Sequence, residues 1–400
     1  MLAAGEGRRL RPLTETRPKV MIPIANKPVL EHVLVNAKQA GLTDFVLVVS
    51  YKKDTIVDYF GDGKKWGVHI EYVHQLKPLG TADAIGTVAD VVDDRFVVLS
   101  GDTYIGTRDI KKLLQTNHVA MGIKQYEQVE SYGTVMIRNN QVRKIAEKTS
   151  DALSRWINLG VYLFDRSIFD SITQTAVSQR GEFEITESLQ RLIDTGNTVD
   201  AVAMQDWMDS GRPWDLLEMN EYLLQNQKRA IQGTIEDHVT IKGSLVLGKG
   251  SQILSGTYIE GPVVIGEHCK IGPNCYLRPA TTIGDHCHIG NACEIKNSII
   301  MNNTKIPHQN YIGDSIIGEH CNLGAGTKIA NLRLDKKPVF ATVDGIKMDT
   351  GRRKFGAIIG DHVQTGINVT INVGTTIGSE CFIGPGAVVS EEVATGSTVL

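Results

Sequence analysis

The chain opens with Leu2-Ala3-Ala4-Gly5-Glu6-Gly7, a glycine-rich turn with small neighbours. Such a turn lets successive backbone N–H groups approach phosphate oxygens. Arg9 and Lys19 follow at a spacing that suits neutralisation of a triphosphate. A Gly-x-Gly alone is a weak signal. Here Arg17-Pro18-Lys19 and Pro23 follow it, which is more specific. Asp102 comes just after the apolar run Phe96-Val97-Val98-Leu99. A carboxylate in that place either caps the strand end or holds a hard cation. His308 is the other candidate, because it departs from a rule that the remaining histidines obey.

Two kinds of element must carry these residues. Over roughly the first 225 residues, short β-branched runs such as Phe45–Val49 and Phe96–Leu99 predict buried parallel strands. Amphipathic stretches lie between them, for example Val29 to Ala40, which Gly41 should end. The alternation predicts an α/β, Rossmann-like, doubly wound sheet that binds ligands at the carboxyl ends of its strands. Trp214 to Ala230 reads as a helical connector. The expected organisation is residues 1–213, a connector over 214–232, and a second module over 233–400.

From about Ile235 the period becomes six. Ile265, Ile271, Leu277, Ile283, Ile289 and Ile295 form one run, and Ile359, Thr365, Ile371, Ile377, Ile383 and Val389 another. Between them the register slips by one before Ile300 and again before Ile317. A six-residue period predicts a parallel β-helix of hexapeptide repeats, with each aliphatic stacked inward on the coil below. Cys269, Cys275, Cys287, Cys293, Cys321 and Cys381 all lie four residues after a core aliphatic, so they read as small packing residues of a reducing compartment. His238, His268, His286, His320 and His362 all lie three after one and read as turn residues. His308 lies two after Ile306. The rhythm stops from about Ala330 to Phe355, which predicts an external, basic loop of the kind that carries function.

Composition narrows the classes. The chain has 400 residues, 42% hydrophobic and 22% charged, with a net charge of -3. That balance gives no electrostatic case for nucleic acid. No apolar run is long enough for a membrane helix, and no signal peptide precedes the first motif. The expectation is a cytoplasmic protein acting on small molecules.

The opening segment resembles the sugar-1-phosphate nucleotidyltransferase family, whose hallmark is LAAGxGxRLxPLTxxxPKxxxP, and the resemblance covers essentially the first half. It implies that Leu2, Ala3, Gly5, Gln75, Gly80 and Thr81 bind the nucleotide, with Gln75 reading a pyrimidine base. It implies that Asp102 and Asp209 hold Mg²⁺, and that Arg9 and Lys19 are catalytic. Gly133, Glu147, Lys148 and Asn158 would contact the sugar phosphate. In such a reaction a sugar-1-phosphate oxygen attacks the α-phosphorus of the nucleotide and displaces pyrophosphate. The protein aligns two anions and neutralises charge, with no covalent nucleophile. Arg8 stands where the family usually has a small hydroxyl residue, which alters phosphate contacts. The family's first strand begins several residues before LAAG, so a short central strand is expected.

The second half resembles the acetyltransferase domain of the bifunctional enzyme that makes UDP-N-acetylglucosamine. The order Arg278-Pro279, Glu294-Ile295-Lys296, His308-x-x-Tyr311-x-Gly313-Asp314, Asn322-x-Gly-Ala325-Gly-Thr327, Asn331 carries the match. It implies a left-handed helix, usually trimeric, with His308 as the general base that deprotonates a sugar amine. Arg278, Lys296 and Lys337 would hold the sugar phosphate. Tyr311, Asn322 and Asn331 would position the sugar, and the backbone at Ala325 would contact acetyl-CoA. After Asn331 the bacterial enzymes continue Tyr-Asp-Gly, whereas Leu332-Arg333-Leu334-Asp335 and the insertion resemble the archaeal version.

The leading expectation is a bifunctional enzyme. It acetylates glucosamine-1-phosphate, or galactosamine-1-phosphate, with acetyl-CoA and couples the product to UTP or dTTP. A second reading keeps nucleotidyl transfer alone over a structural β-helix. A third is a non-catalytic regulatory subunit. Lys296, His308 and the Gly-Ala-Gly-Thr segment disfavour the second. Gln75 disfavours a purine nucleotide, and Arg9, Lys19, Asp102 and Asp209 disfavour the third.

Overall fold

The computed structural model describes the whole chain except residues 128 and 148–151. Its packing divides into two units: Met1–Glu6 with Val29–Asp209, and Gly7–Pro28 with Ser210–Leu400. The segment Gly7–Pro28, which carries Arg9 and Lys19, packs with the second unit although its flanks belong to the first.

The elements up to the repeats run in this order: β1 (Leu2–Ala3), β2 (Pro23–Ile24), β3 (Lys27–Pro28), α1 (Val29–Gln39), β4 (Asp44–Val49), α2 (Lys53–Phe60), β5 (His69–His74), α3 (Thr81–Gly86), β6 (Arg95–Leu99) and β7 (Thr103–Ile105). Then come α4 (Thr107–Leu114), β8 (Val119–Gln125), β9 (Thr134–Arg138), β10 (Gln141–Ala146), β11 (Trp156–Asp165), α5 (Ser167–Thr173), α6 (Ile185–Asp194), β12 (Val199–Ala203), β13 (Trp207–Asp209) and α7 (Pro213–Gln225). The helices follow apolar spacing. In α1, Val29, Leu30, Val33, Leu34 and Ala37 are buried along one face, and Gly41 ends the element at φ 108°. In α6, Ile185, Leu189 and Leu192 do the same.

In the first unit β1, β4 and β5 form a parallel sheet, with Leu2 opposite Val48 and Phe45 opposite Ile70. A six-stranded mixed sheet runs β6-β11-β8-β12-β10-β9. The two meet where Leu2 bridges Ser100 and Gly101 N–H donates to Leu2 O at 2.8 Å. The expectation of parallel strands holds for β4. For β6 it holds toward β1, where Leu2 bridges Ser100 in the parallel sense, and fails toward β11, with which β6 pairs antiparallel. A continuous apolar run reports burial on both faces and is silent about strand direction.

The central strand β1 is short, as expected. Beneath it a cavity of about 550 Å³ opens between β4 and β6, walled by Met1, Asp44, Val46, Arg95 and Val97. The ammonium of Met1 is drawn into this slot and donates to Val46 O at 2.7 Å.

In the second unit, short strands stack into three parallel sheets of eight, nine and eight strands. Leu245 pairs with Val263 and Val263 with Thr281, a coil of eighteen residues. Two coils are one residue shorter, with Thr282 opposite Ile299 and Ile299 opposite Ile316, and these are the two register slips. The inward aliphatics and all six cysteines form one core. Burial pushes the Cys321 thiol up to about 12, which keeps it inert as a nucleophile. The five regularly spaced histidines all adopt positive φ, and two pairs stack coil on coil, His268 on His286 and His320 on His362. This is a left-handed parallel β-helix of hexapeptide repeats.

Two expectations need adjustment. The connector helix stops at Gln225, because Ala230 and Ile231 already pair with Val246 and Leu247 in the first coil. The insertion is a folded hairpin, Phe340–Val343 against Ile346–Asp349, and only part of it is external. Val339, Ala341 and Val343 point inward at every second position, and Phe355 packs edge-on to Trp214.

Candidate functional site

The first unit places its candidate residues at the carboxyl ends of strands. Leu2 and Ala3 are β1 itself, and Gly5 follows it. A Cβ on Gly5 would meet nothing within 4 Å among the described residues, so this turn is open to a ligand. Gln75 follows β5 and is buried. Its Nε2 donates to Asp83 Oδ2 at 2.6 Å and to Gly80 O at 3.4 Å. Both amide protons are then committed, and Oε1 is the atom left to accept. Gly80 has φ 123°, and a Cβ there would lie 2.5 Å from Phe183 O, so the approach of Phe183 demands glycine. The Thr81 hydroxyl accepts from Ile185 N–H at 3.1 Å, which ties the start of α3 to α6.

Asp102 sits just past the point where β6 meets β1. The ribbon of β7 and β13 puts Asp209 opposite Thr103, the residue that follows Asp102. Tyr132 Oη bonds Asp209 Oδ2 at 3.4 Å, and its ring stands edge-on to Trp207. From Tyr132 the site continues to Gly133. A Cβ on Gly133 would lie 2.9 Å from Glu147 Oε2 and 3.7 Å from Asn158 Cβ, so these three converge. Asn158 is itself fixed, donating to Tyr162 Oη at 2.7 Å and accepting from Gly160 N–H at 3.1 Å. Arg180 NH1 lies 3.3 Å from Glu147 and 3.2 Å from Glu184. Lys148 lies outside the described residues.

Among the described residues no group of three or more His, Cys, Asp or Glu gathers as a metal cluster. A pair of carboxylates still suits the chemistry of Mg²⁺, which commonly takes one or two from protein and the rest from phosphate and water.

Arg9 and Lys19 belong to the segment that packs with the β-helix. Arg9 is exposed and Lys19 half-buried. Gly7, at φ 78°, lies against Lys19, since a Cβ there would be 2.6 Å from Lys19 Cβ. Thr14 Oγ1 donates to Gly7 O at 3.0 Å and closes the turn.

On the β-helix, one face stacks Tyr258, Tyr276, Glu294, Tyr311 and Lys328 in register. Beside that row, Arg278 NH1 pairs with Glu294 at 2.8 Å, which holds the guanidinium charge even more firmly than usual. Lys296 Nζ meets buried Asp314 at 3.1 Å, and Asn331 Nδ2 donates to the same carboxylate at 2.5 Å. A Cβ on Gly313 would lie 2.5 Å from Asn331 Nδ2 and 2.8 Å from Tyr311 Oη, so Lys296, Tyr311 and Asn331 gather around Gly313-Asp314. Burial, foremost, pushes the Tyr311 phenol up, so it stays a neutral donor.

His308 is exposed on the corner that leads into this face, at φ 54°. Its carbonyl accepts from Gly326 N–H at 3.0 Å, which places Ala325 on the same corner one coil on. His288 lies near it; burial, then the neighbouring Lys270, His308 and Lys305, push its imidazole down. Asn322 lies on the next face, between Lys305 and Gln364, so within one chain it does not join the Lys296 group. Lys337 is exposed in the insertion, where its N–H donates to Asp335 at 3.2 Å.

Sequence reasoning gave no role to Asp314, Asp83, Arg180 or Arg17. Asp314 did carry a signal: it lies two after Ile312, as His308 lies two after Ile306. Nothing comparable marks Asp83 or Arg180, although Gln75 and Glu184, partners of each, lie only eight and four residues away.

Comparison with known proteins agrees with this geometry. The nucleotidyl transferase family model matches residues 1–226. A GMPPB C-terminal domain model matches 259–373, and the hexapeptide repeat of succinyl-transferase matches 356–391. The bifunctional protein GlmU of Methanocaldococcus jannaschii is 41% identical over all of this chain and 96% of its own length. The bifunctional sugar-1-phosphate nucleotidylyltransferase/acetyltransferase of Sulfurisphaera tokodaii is 39% identical over 99% of this chain and 98% of its own. A Bacillus anthracis protein described as a glucose-1-phosphate thymidylyltransferase, crystallised with sucrose, superposes with a TM-score of 0.52 at 28% identity; it covers 57% of this chain and 95% of its own. The chain belongs to the family of bifunctional GlmU-type sugar-1-phosphate nucleotidylyltransferase/acetyltransferases.

Proposed function

We propose that this enzyme transfers an acetyl group from acetyl-CoA to glucosamine-1-phosphate and then couples the product to UTP, releasing pyrophosphate. Galactosamine-1-phosphate and dTTP are the neighbouring substrates of the same chemistry. The nucleotidyl module is assigned to 1–213, the connector to 214–232 and the acetyl module to 233–400. The enzyme works in the cytoplasm as a homotrimer, which would let Asn322 of one chain serve a site begun on another.

In nucleotidyl transfer, Gln75 Oε1 accepts the imide N–H of uracil or thymine, and the open turn at Gly5 receives phosphate on its N–H groups. Asp102 and Asp209 hold Mg²⁺, which when bound neutralises part of the phosphate charge. Arg9 and Lys19 stabilise the charge that builds on the α-phosphoryl and leaving pyrophosphate. Glu147 and Asn158 accept and donate to sugar hydroxyls over Gly133, whose missing side chain makes room for the ring. Lys148 pairs with the sugar phosphate.

In acetyl transfer, Arg278, Lys296 and Lys337 hold the sugar phosphate. His308 removes a proton from the amine, because an ammonium has no lone pair with which to attack a thioester. Tyr311 and Asn331 orient the sugar, and the backbone at Ala325 donates to the oxyanion.

The convergence of Lys296, Tyr311 and Asn331 beside the corner that carries His308 supports this reading over a purely structural β-helix. The test is incubation with glucosamine-1-phosphate and acetyl-CoA, with and without UTP and Mg²⁺, followed by product identification. Thiol release without UTP, and UDP-sugar only with it, are expected. No thiol release would remove the acetyl arm.

A further inference from the structure

We infer that Arg17 is a positioning residue for nucleotidyl transfer, and that it acts through the β-helix residues Asp361 and Glu319. This rests on the reading of Arg9 and Lys19 as groups of the nucleotidyl site.

The segment Gly7–Pro28 is bonded to the β-helix along its length. Arg17 is buried, and its NH2 lies 2.7 Å from Asp361 Oδ2 and 3.1 Å from Glu319 Oε2. Its NH1 meets Met301 Sδ at 3.0 Å. Thr16 Oγ1 donates to the same Asp361 oxygen. Glu15 accepts from Thr395 Oγ1 at 2.7 Å and from Ser379 N–H at 3.4 Å. At the far end, Asn26 Nδ2 donates to Ile283 O at 2.6 Å, and Ala25 N–H to Asn220 Oδ1 at 2.9 Å. Asn220 in turn donates to Ala280 O at 2.9 Å.

Asp361 is itself tied into the coils. Its other oxygen accepts from Glu319 N–H at 2.7 Å, across two stacked coils. Arg17 is therefore locked to a corner of the β-helix, and only Pro18 separates it from Lys19. Lys19 supports Gly7, and Gly7 is two residues from Arg9. A rigid proline between the anchor and Lys19 leaves little slack. A displacement of the anchor passes directly to both cations.

The ion pair does more than glue the segment down. Without Asp361 the buried guanidinium keeps Glu319 alone, which disfavours its seat, and without Arg17 the segment loses its central tie to the β-helix. Nucleotidyl transfer depends on cations placed to within a fraction of an ångström. The acetyl-site residues are fixed within the coils instead: Lys296 and Asn331 by Asp314, and His308 through its carbonyl to Gly326 N–H. The inferred coupling is thus one-sided.

The test uses the full chain with Arg17→Ala, Arg17→Lys and Asp361→Asn, assayed for both activities in the same preparations. The expected result is a roughly 10- to 100-fold fall in nucleotidyl kcat for Arg17→Ala and Asp361→Asn. KM for UTP and acetyl transfer should stay within about threefold, and Arg17→Lys should recover part of the loss. Acetyl transfer reports an intact β-helix in each variant. Wild-type nucleotidyl kcat in both Arg17→Ala and Asp361→Asn would overturn the inference, as would a parallel loss of both activities in all three variants. Arg9→Ala and Lys19→Ala separate the two levels. If they keep full nucleotidyl transfer, the underlying assignment fails; if they lose it while Arg17→Ala does not, positioning alone fails.

Discussion

The two units both use parallel strands, but they carry their candidate chemistry in different places. In the first unit it sits beyond strand ends: Gly5 after β1, Gln75 after β5, Asp102 after β6 and Asp209 at the end of β13. In the β-helix it sits on the outward face of strands and on corners: Lys296, Tyr311 and His308. An α/β sheet buries both faces, so only its ends are free to meet a ligand. A β-helix buries one face of every strand and offers the other along its whole length. The first arrangement gathers residues distant in sequence, the second stacks residues one coil apart.

The largest expected effects separate the two places. Asp102→Asn should lower nucleotidyl transfer by roughly a hundredfold or more while acetyl transfer persists. His308→Ala should lower acetyl transfer by roughly 10²- to 10⁴-fold while nucleotidyl transfer persists. Parallel assays of thiol release and pyrophosphate release check both. If either variant lost both activities while still folded, the chemistry would not be divided between strand ends and helix corners.

A smaller effect sharpens the comparison within the β-helix. The outward row Val246, Val264, Thr282, Ile299, Ile316 and Ile358 is apolar or small, while the row Gln252, Lys270, His288, Lys305, Asn322 and Gln364 is polar. The first row is covered: Val264 packs with Ala25 and Leu224, and Ile299, Ile316 and Ile358 are buried outside the helix core. Ile316→Ser should destabilise the fold by about 2–5 kcal/mol, because it leaves a cavity and a hydroxyl in a dry interface. Lys270→Ser should change it by less than about 0.5 kcal/mol. Equal effects in urea unfolding would mean the face is not covered in solution.

That contrast shows why the sequence was legible unevenly. The inward ladder announces itself every six residues, and cysteine and histidine roles follow from their offset to it. His308 stands out because it breaks the offset. The outward apolar row went unread, because nothing local to it says that Ala25 and Leu224, distant in the chain, pack on Val264. Arg17 was read only as part of a motif, since Asp361 lies 344 positions away. In the first unit, periodicity located strands but did not show that β6, parallel to β1 on one side, pairs antiparallel with β11 on the other. The insertion's alternation of Val339, Ala341 and Val343 is a strand signal that its basic composition obscured.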